Sequence, residues 1–243
     1  NKCKWIINKK NIGFAKACNQ GAKFTKYDHY IFLNPDTVLE KNCLIKLKSK
    51  IDNYPNSILS ISQIDSKRNK KFPYGHFLSI KTFNGISRFI FRFLNCENRL
   101  KDNKKPWIET DWVSGSFLCI SRKNFNNLNG WDEDYWMYYE DMDLCKRAKN
   151  IGLKVILINS IFCTHHHGKS SRINLETTVK TKTHLIKSGI LFIDKHYNGI
   201  YQKFLKFMFI GSKIFYLMLL CPFSKQKRLI LNNLIFNFRV EEF

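Results

Sequence analysis

The chain has 243 residues, of which 44% are hydrophobic and 15% aromatic. This is enough apolar material for one packed domain, and it excludes a chain that is disordered by composition. Its 41 basic and 19 acidic residues give a net charge of +22, but the basic residues are spread along the whole sequence. That distribution favours a solvated basic surface, or attraction to an anionic lipid or a phosphorylated substrate, over a nucleic-acid interface. The eight cysteines include no Cys-x-x-Cys pair, so we expect reduced thiols in a cytosolic protein and neither a disulfide framework nor a zinc ribbon.

The first part of the sequence alternates short apolar runs with amphipathic patterns. These patterns predict strands over residues 5–8, 30–33 and 58–64, and helices over residues 15–25 and 38–51. Strands that alternate with helices are typical of a sheet with helices on its faces, so the expected fold class is α/β.

The later part is less regular. Residues 65–106 are basic, turn-rich and aromatic, and we interpret them as a variable insertion over the sheet. Downstream patterns predict strands over residues 112–113, 117–120 and 155–158, a helix over residues 140–150 closed by Gly152, and an extended segment, residues 161–164, that leads into three histidines.

The apolar stretch of residues 204–223 is interrupted by Lys206 and Lys213. Two central lysines are costly inside a bilayer, so a membrane-spanning helix is disfavoured. The stretch fits an interfacial amphipathic helix whose flanking basic residues meet anionic headgroups. It also fits a C-terminal helical hairpin that packs on the domain.

Residues 130–144 concentrate six carboxylates and five aromatic side chains in an otherwise basic chain. Such a cluster usually serves a cation, a proton transfer or both. On the predicted helix, Asp141 shares a face with Leu144, Cys145 and Ala148, so its carboxylate is expected to point inward and to have a raised proton affinity. It therefore suits a general base, or else it only complements the helix dipole.

Two further residues follow predicted strands. Asp36 comes directly after an apolar strand and Asn34-Pro35, which places it at the carboxyl edge of the sheet, where open α/β sheets bind ligands. The alternative is a helix cap for residues 37–51. In the run of residues 165–167, neighbouring histidines point to opposite sides, so one can ligate an ion while the others cannot easily join it; the alternative is a surface run.

The motifs with the most specific spacing stand in one order over residues 5–171. They are residues 11–14 with 19–21, residues 33–36, residues 114–122 with 130–133, residues 139–147 and residues 165–170. Together they resemble the family-2 inverting glycosyltransferases of the GT-A fold, above all the rhamnosyltransferase-like and galactofuranosyltransferase-like members. The sequence departs from the family at Asn34-Pro35-Asp36, which offers one certain carboxylate, and at Asn129 and Trp131. The family's opening strand and Asp-bearing loop have no counterpart, so we expect a chain truncated at its N-terminus.

The resemblance implies a Rossmann-like mixed sheet flanked by helices, without its first strand or strands, over residues 1–175, and a C-terminal helical, possibly membrane-associating region over residues 176–243. It implies sugar transfer with inversion from a nucleoside-diphosphate donor to a glycan or lipid-linked acceptor in polysaccharide biosynthesis, assisted by Mg²⁺ or Mn²⁺. We expect a cytoplasmic protein, peripheral at the inner face of the membrane, with no nucleic-acid partner.

The resemblance also implies roles for individual residues. Asp141 would be the general base, and Asp36 and His165 would hold the metal. The residues expected on the nucleotide side are Asn11, Gly13, Asn19 and Asp36. The residues expected to hold the acceptor are Trp112, Gly115, Trp131, Asp132, Glu133 and Glu140.

Two other functions fit parts of the sequence. The first is a catalytically inactive, truncated relative that keeps the fold as a binding or assembly subunit. The second is a basic nucleic-acid-binding protein, which the charge suggests but for which the sequence carries no RNP, zinc-finger or helix-turn-helix signature.

Overall fold

The structure is a computed structural model that describes residues 3–94, 105–166 and 173–236. The strands in these ranges are β1 (His29–Leu33), β2 (Thr37–Leu39), β3 (Ser57–Ile64), β4 (Lys70–Lys71), β5 (Tyr74–Gly75), β6 (Trp107–Glu109), β7 (Trp112–Val113), β8 (Phe117–Ser121) and β9 (Lys154–His165). The helices are α1 (Phe14–Ala22), α2 (Cys43–Ile51), α3 (Gly85–Leu94), α4 (Arg122–Asn127), α5 (Glu140–Asn150), α6 (Leu175–His196), α7 (Gly199–Leu220) and α8 (Lys225–Phe236).

The main sheet is mixed and has the order β1-β8-β3-β9-β2, with β4 beside β3 and β6 beside β9. β3 and β9 are parallel, whereas β8 is antiparallel to both of its neighbours and β9 is antiparallel to β2 and β6. β9 is 12 residues long, so it pairs with β6 near its start and with β2 at its end. The residue that closes it, His165, therefore lies beside the segment that follows β1.

Helices cover both faces of the sheet. α2 packs one face through Cys43 and Leu47, whereas α1, α4 and α5 pack the other. In β1 the alternation is clear, because Tyr30 and Phe32 are buried and the residues between and beside them are exposed. Leu144, Cys145 and Ala148 of α5 are completely buried, which confirms the predicted inward face of this helix.

The C-terminal helices α6, α7 and α8 pack on one another and share an apolar cluster with Leu78, Phe83 and Tyr135 of the α/β unit. The hydroxyl of Tyr197 also donates a hydrogen bond to the carbonyl oxygen of Leu78. Within the described ranges, no helix combines the length and apolar character that crossing a bilayer requires. The packing matches a helical appendage on the domain, although α7 leaves several aromatic side chains exposed.

Several predicted elements differ from the structure. Residues 5–8 form no strand; Trp5 and Ile7 are exposed, and no strand in the described part of the chain pairs with them. Residues 38–39 belong to β2, which pairs with β9, so the helix that follows begins only at Cys43. The segments 155–158 and 161–164 are one continuous strand, since the parallel pairing with β3 runs along both with a register shift.

Candidate active site

Asp36 and His165 meet at the end of the sheet. The chain leaves β1 through Asn34 and Pro35, and Thr37 then pairs with His165 in the β2–β9 ladder. This pairing places Nε2 of His165 3.1 Å from Oδ1 of Asp36, and both side chains are less than a tenth exposed. Asp36 does not cap a helix, because β2 follows it, so the alternative interpretation of this residue is wrong.

A buried chain of hydrogen bonds continues from His165 into the sheet. Nδ1 of His165 lies 3.0 Å from Oε1 of Gln63, and Nε2 of Gln63 donates to Oγ of Ser116 at 2.6 Å. The side chains of Gln63 and Ser116 are inaccessible to solvent. Sequence reasoning missed Gln63; the signal was an amide inside a strand of otherwise buried residues, where a polar group needs a partner.

The orientation of the Gln63 amide determines which nitrogen of His165 carries the proton. The amide nitrogen faces Ser116, so the amide oxygen accepts a hydrogen bond from Nδ1 of His165. In the neutral imidazole, Nε2 then presents a lone pair to Asp36. With this tautomer, a proton or a metal ion shared by Nε2 and the carboxylate of Asp36, 3.1 Å apart, would satisfy both atoms. Burial lowers the pKa of His165, although Asp36 opposes this effect, so burial disfavours the proton.

The pair is chemically suited to a hard divalent cation. A carboxylate oxygen and one imidazole nitrogen are ligands that Mg²⁺ and Mn²⁺ accept, and an imidazole that donates its other N–H to a fixed oxygen is the usual arrangement of a metal ligand. In the described ranges, no group of three or more His, Cys, Asp or Glu side chains is placed to hold a metal ion. Within the described residues, Asp36 and His165 are the two candidate ligands, and such a pair fits an ion that is completed by substrate phosphate and water.

Asp141 lies next to this network. Its Oδ2 accepts a hydrogen bond from the backbone N–H of Gly115 at 3.1 Å, and its Oδ1 accepts one from that of Met142 at 2.8 Å. Gly115 directly precedes Ser116, the serine that the chain of bonds from Asp36 reaches. The Asp36–His165 pair and Asp141 are thus each hydrogen-bonded to one of two residues that are adjacent in sequence.

The first two residues of α5 carry carboxyls with raised pKa values. Burial raises the pKa of Asp141, while the N–H groups of Gly115 and Met142 act in the opposite direction. Burial, followed by repulsion from Asp141, raises the pKa of Glu140 well above its ordinary value. Oε2 of Glu140 is buried and has no hydrogen-bond partner among the described residues.

The turn before α1 is packed against the segment that leads to Asp141. Oδ1 of Asn11 accepts a hydrogen bond from the N–H of Gly13 at 3.0 Å. Gly13 has a φ of 85°, and a Cβ added there would lie 2.7 Å from the carbonyl oxygen of Trp136. The same oxygen accepts a hydrogen bond from the N–H of Phe14. Glycine is therefore required for this close approach.

Asn19 ties α1 to residues 131–133. Its side chain accepts a hydrogen bond from the N–H of Trp131 and donates to the carbonyl oxygen of the same residue, at 2.9 and 2.8 Å. It also donates to Glu133 at 2.9 Å. The sequence suggested Asn19 as a nucleotide-side residue and Glu133 as an acceptor-side residue, whereas the structure pairs them with each other. Their ligand-binding roles remain predictions.

The other residues suggested for acceptor binding differ in exposure. Trp131 is 1% exposed and packs edge-on against Phe14 and Phe32, with ring centroids 5.3 and 5.1 Å apart. A sugar would need this ring to become accessible. Trp112 is half-buried and its Nε1 donates to the carbonyl oxygen of His76. Asp132 is partly exposed and forms an ion pair with Lys195. These roles also remain predictions, and Gly168 and Ser170 of the predicted histidine motif lie outside the described residues.

A buried ion-pair cluster on α5 was not predicted. The guanidinium of Arg147 contacts the carboxylate of Asp143 one turn earlier at 2.7 Å and donates to the carbonyl oxygen of Gly130 at 3.0 Å. The second carboxylate oxygen of Asp143 lies 2.7 Å from Nε2 of His196, at the end of α6. The spacing of Asp143 and Arg147 could have indicated a helical i,i+4 pair, but nothing in the sequence indicated His196.

Comparison with known proteins identifies the class. Residues 1–127 match the model of Glycosyl transferase family 2, and residues 101–169 match the model described as the N-terminal domain of galactosyltransferase. The first match covers more than half of the chain, and the chain therefore belongs to glycosyltransferase family 2. Together with the mixed sheet and its flanking helices, this confirms the predicted GT-A type of α/β fold.

Two curated relatives are rhamnosyltransferases. Rhamnosyltransferase WbbL of Escherichia coli is 30% identical over 151 residues, which are 59% of this chain and 55% of that protein. An N-acetylglucosaminyl-diphospho-decaprenol L-rhamnosyltransferase of Mycobacterium tuberculosis is 30% identical over 119 residues, which are 48% of this chain and 36% of that protein. The chain thus spans about half of the first relative and about a third of the second, and it resembles the rhamnosyltransferases of the family.

Solved structures show partial likeness. GalNAc-T7, solved with UDP, GalNAc and Mn²⁺, is 16% identical with a TM-score of 0.47 over 72% of this chain and 35% of its own. The mannosyltransferase PcManGT from Pyrobaculum calidifontis, solved with GDP-Man and Mn²⁺, is 12% identical with a TM-score of 0.48 over 93% of this chain and 60% of its own.

Proposed function

We propose that the protein transfers a sugar from a nucleoside-diphosphate donor to a hydroxyl group of a glycan or lipid-linked acceptor, with inversion at the anomeric carbon. The observation that carries this proposal is the buried Asp36–His165 pair, whose hydrogen bonds lead through Gln63 to Ser116, next to the Gly115 N–H that holds Asp141. We take the pair as the candidate site for the diphosphate and Asp141 as the candidate base. Membership of glycosyltransferase family 2 supports the same reaction class.

Asp141 would act as the general base. Its carboxylate is held by the N–H groups of Gly115 and Met142, and burial raises its pKa, which suits proton removal near neutral pH. Asp141 takes the proton from the acceptor hydroxyl while that oxygen bonds to the anomeric carbon. The diphosphate departs with the bonding electron pair from the opposite side of the ring, which inverts the configuration.

Asp36 and His165 would hold the divalent cation, Mg²⁺ or Mn²⁺. When bound, such an ion supplies charge neutralisation for the diphosphate leaving group. Gln63 keeps the imidazole of His165 in the tautomer that leaves Nε2 available for a ligand. The turn of Asn11 and Gly13, packed on the segment before α5, is the candidate wall on the nucleotide side.

The names of the relatives suggest the substrates. We infer a nucleoside-diphosphate rhamnose as donor and a sugar linked to a lipid diphosphate as acceptor, because the relatives are named for rhamnosyl transfer and one is named for a diphospho-decaprenol acceptor. A lipid-linked acceptor requires the enzyme to work at a membrane surface. The net charge of +22 and the exposed aromatic side chains of α7 support peripheral binding to the anionic inner face of the membrane.

A screen of nucleotide sugars tests the reaction. Donor hydrolysis and transfer to a lipid-diphosphate sugar are measured with Mg²⁺ and Mn²⁺ in turn, and a nucleoside-diphosphate rhamnose is the expected donor. Failure of every donor to be cleaved or transferred in the presence of either ion would contradict the proposal.

Metal titrations test the ligand assignment. In Asp36→Ala and His165→Ala, the metal concentration for half-maximal transfer is expected to rise by at least about tenfold. The matched control is Asp52→Ala, which removes an exposed carboxylate at the end of α2 and should leave the titration unchanged. Unchanged titrations in both Asp36→Ala and His165→Ala would remove these residues from the metal site.

A further inference from the structure

A groove between α6 and α8 lies outside the site described above. It encloses a cavity of about 610 Å³, a size typical of small-molecule sites. One face of α6 lines it, with Lys180 and Lys187 about two turns apart, and Lys225 at the start of α8 lies opposite. The groove is therefore bordered by positive charge from both helices.

Trp136 connects the groove to the turn on the proposed nucleotide side. Two lining residues of the groove contact its ring: Nζ of Lys180 lies 4.8 Å from the ring centre, and the imidazole of His184 packs against the ring with centroids 4.4 Å apart. The carbonyl oxygen of Trp136 accepts a hydrogen bond from Phe14 beside Gly13, and Asp141 follows five residues later in the sequence.

The chemistry of the lining indicates an amphiphilic anion. Lysine ammonium groups bind phosphate oxygens through charge-assisted hydrogen bonds, and Glu176 is the acidic residue of the lining. Leu175, Val179 and Leu229 add an apolar surface to the same groove. A neutral glycan would make no use of the lysines, and a free phosphate would make no use of the apolar side chains.

We propose that this groove binds the diphosphate of a lipid-linked acceptor, with the lysines on the diphosphate and the apolar side chains against the first part of the lipid. The inference rests on the proposed function, which requires an acceptor at Asp141, and adds the subsite that holds it. The sugar to be extended would then lie beside Trp136. The occupant is assigned as the acceptor because one groove combines the lysines with apolar side chains, and headgroup binding is an outcome of the test.

Direct binding of farnesyl diphosphate tests the subsite without any turnover. Calorimetry compares farnesyl diphosphate with farnesol and with inorganic pyrophosphate, on the wild-type protein and on the triple variant Lys180→Gln, Lys187→Gln, Lys225→Gln. We expect farnesyl diphosphate to bind more tightly than either fragment, and its affinity to fall by at least about tenfold in the triple variant. The triple variant with arginine at the same positions should retain binding, which separates loss of charge from loss of fold.

The matched control removes the same charge elsewhere. Lys41→Gln, Lys46→Gln, Lys48→Gln changes three exposed lysines at and beside α2, on the opposite face of the sheet, and should bind farnesyl diphosphate as the wild type does. Equal affinity for pyrophosphate and farnesyl diphosphate, or wild-type affinity in the glutamine variant, would overturn the proposal. The proposal would also be overturned if the glutamine variant lost binding only to phosphatidylglycerol vesicles and not to farnesyl diphosphate. That result would show that the lysines bind lipid headgroups.

A second measurement distinguishes this inference from the reaction itself. If the proposed transfer is right and the subsite wrong, the glutamine variant keeps the wild-type KM for the lipid-linked acceptor. If the subsite is right, the KM for that acceptor rises while donor hydrolysis is unchanged. If the transfer is wrong, farnesyl diphosphate still binds to the groove but no donor is consumed.

Discussion

Glu140 and Asp141 are neighbours in sequence but have different surroundings. Two backbone N–H groups stabilise the charged form of Asp141, whereas one oxygen of the more deeply buried Glu140 has no partner among the described residues. Because the two carboxyls repel each other when both are charged, the pKa of Glu140 is raised well above its ordinary value by burial and by Asp141. The N–H groups that hold Asp141 oppose the rise in its own pKa.

The first prediction concerns the base. Asp141→Asn keeps the size of the side chain but cannot take a proton, so kcat should fall by about 10²–10⁴-fold while the fold is retained. The measurement is rhamnosyl transfer together with circular dichroism. Asp134→Asn, an exposed carboxylate a few residues earlier, is the control and should stay near wild-type activity. Comparable turnover by a folded Asp141→Asn protein would end the assignment.

The second prediction concerns pH and stability. The pKa of Glu140 is raised in the folded state by burial and by Asp141, so this carboxyl contributes fully to stability below its unfolded pKa. The contribution is lost as the pH rises through the folded-state pKa. Glu140→Gln stays neutral and should therefore unfold at a higher temperature than the wild type at neutral pH, with a difference that shrinks towards about pH 4.

Thermal unfolding between about pH 4 and pH 8 checks this sign. The exposed Glu109 offers a matched control. The difference in unfolding temperature between Glu109→Gln and the wild type should not change with pH as it does for Glu140→Gln. If the unfolding temperature of the wild type rose relative to that of Glu140→Gln as the pH rises, this result would contradict the raised pKa of Glu140.

The sequence alone predicted the position of some site residues but not the contacts of others. Asp141 could be placed because the apolar positions of its helix recur within two turns, a purely local pattern. The partners of Asn19 lie 112 and 114 residues away, and nothing local indicates such contacts. The amide inside β3 indicated that Gln63 needs partners, but not which ones, because Ser116 and His165 lie 53 and 102 residues away.

At the scale of elements, α5 carries both the candidate base and a buried carboxylate that contacts α6. Its first residues are Glu140 and the candidate base Asp141, and the same turn carries the buried Asp143, which contacts both Arg147 and His196. The C-terminal helix α6 therefore helps to hold the helix of the base in place.

The third prediction tests this link. Asp143→Asn weakens the buried ion pair with Arg147 and the hydrogen bond with His196, and should lower the free energy of unfolding by about 3 kcal/mol or more, measured by chemical denaturation. The control is Asp194→Asn on α6, whose partially exposed pair with Lys206 should be worth less than about 1 kcal/mol. Equal effects of the two variants would show that the Asp143 cluster has no special structural role.

Element prediction failed where tertiary pairing decided the outcome. Residues 37–39 have a β-branched start that a longer helical pattern obscured, and they form a strand because β9 extends far enough to pair with them. Residues 5–8 have the composition of a strand, but composition alone does not form one; a ladder needs a neighbour. The bounds of α5, in contrast, were predicted correctly, since acidic and basic residues occupy the ends that suit its dipole.

At the scale of the whole molecule, positive charge and exposed aromatic side chains occur together on the C-terminal helices. Phe207 and Phe215 of α7 are 73% and 71% exposed. Basic side chains attract an anionic surface over about one Debye length, whereas aromatic side chains insert at the interface and are insensitive to salt. The two contributions to membrane binding can therefore be separated.

The fourth prediction is that the protein binds phosphatidylglycerol vesicles more strongly than phosphatidylcholine vesicles, and that about 0.5 M salt releases most of it. The double variant Phe207→Ser, Phe215→Ser should lose the fraction of vesicle binding that persists at high salt. Ile45→Ser, at an exposed apolar residue of α2, is the control and should have no effect. Vesicle sedimentation measures both contributions; equal binding to the two lipids would exclude an electrostatic membrane contact.

The apolar cluster that α6, α7 and α8 share with Tyr135, Leu78 and Phe83 limits how the polypeptide can be shortened for laboratory work. An expression clone that stops before α6 would lose His196 and uncover a hydrophobic surface next to α5. We expect such a product to aggregate, so any recombinant version should extend through α8.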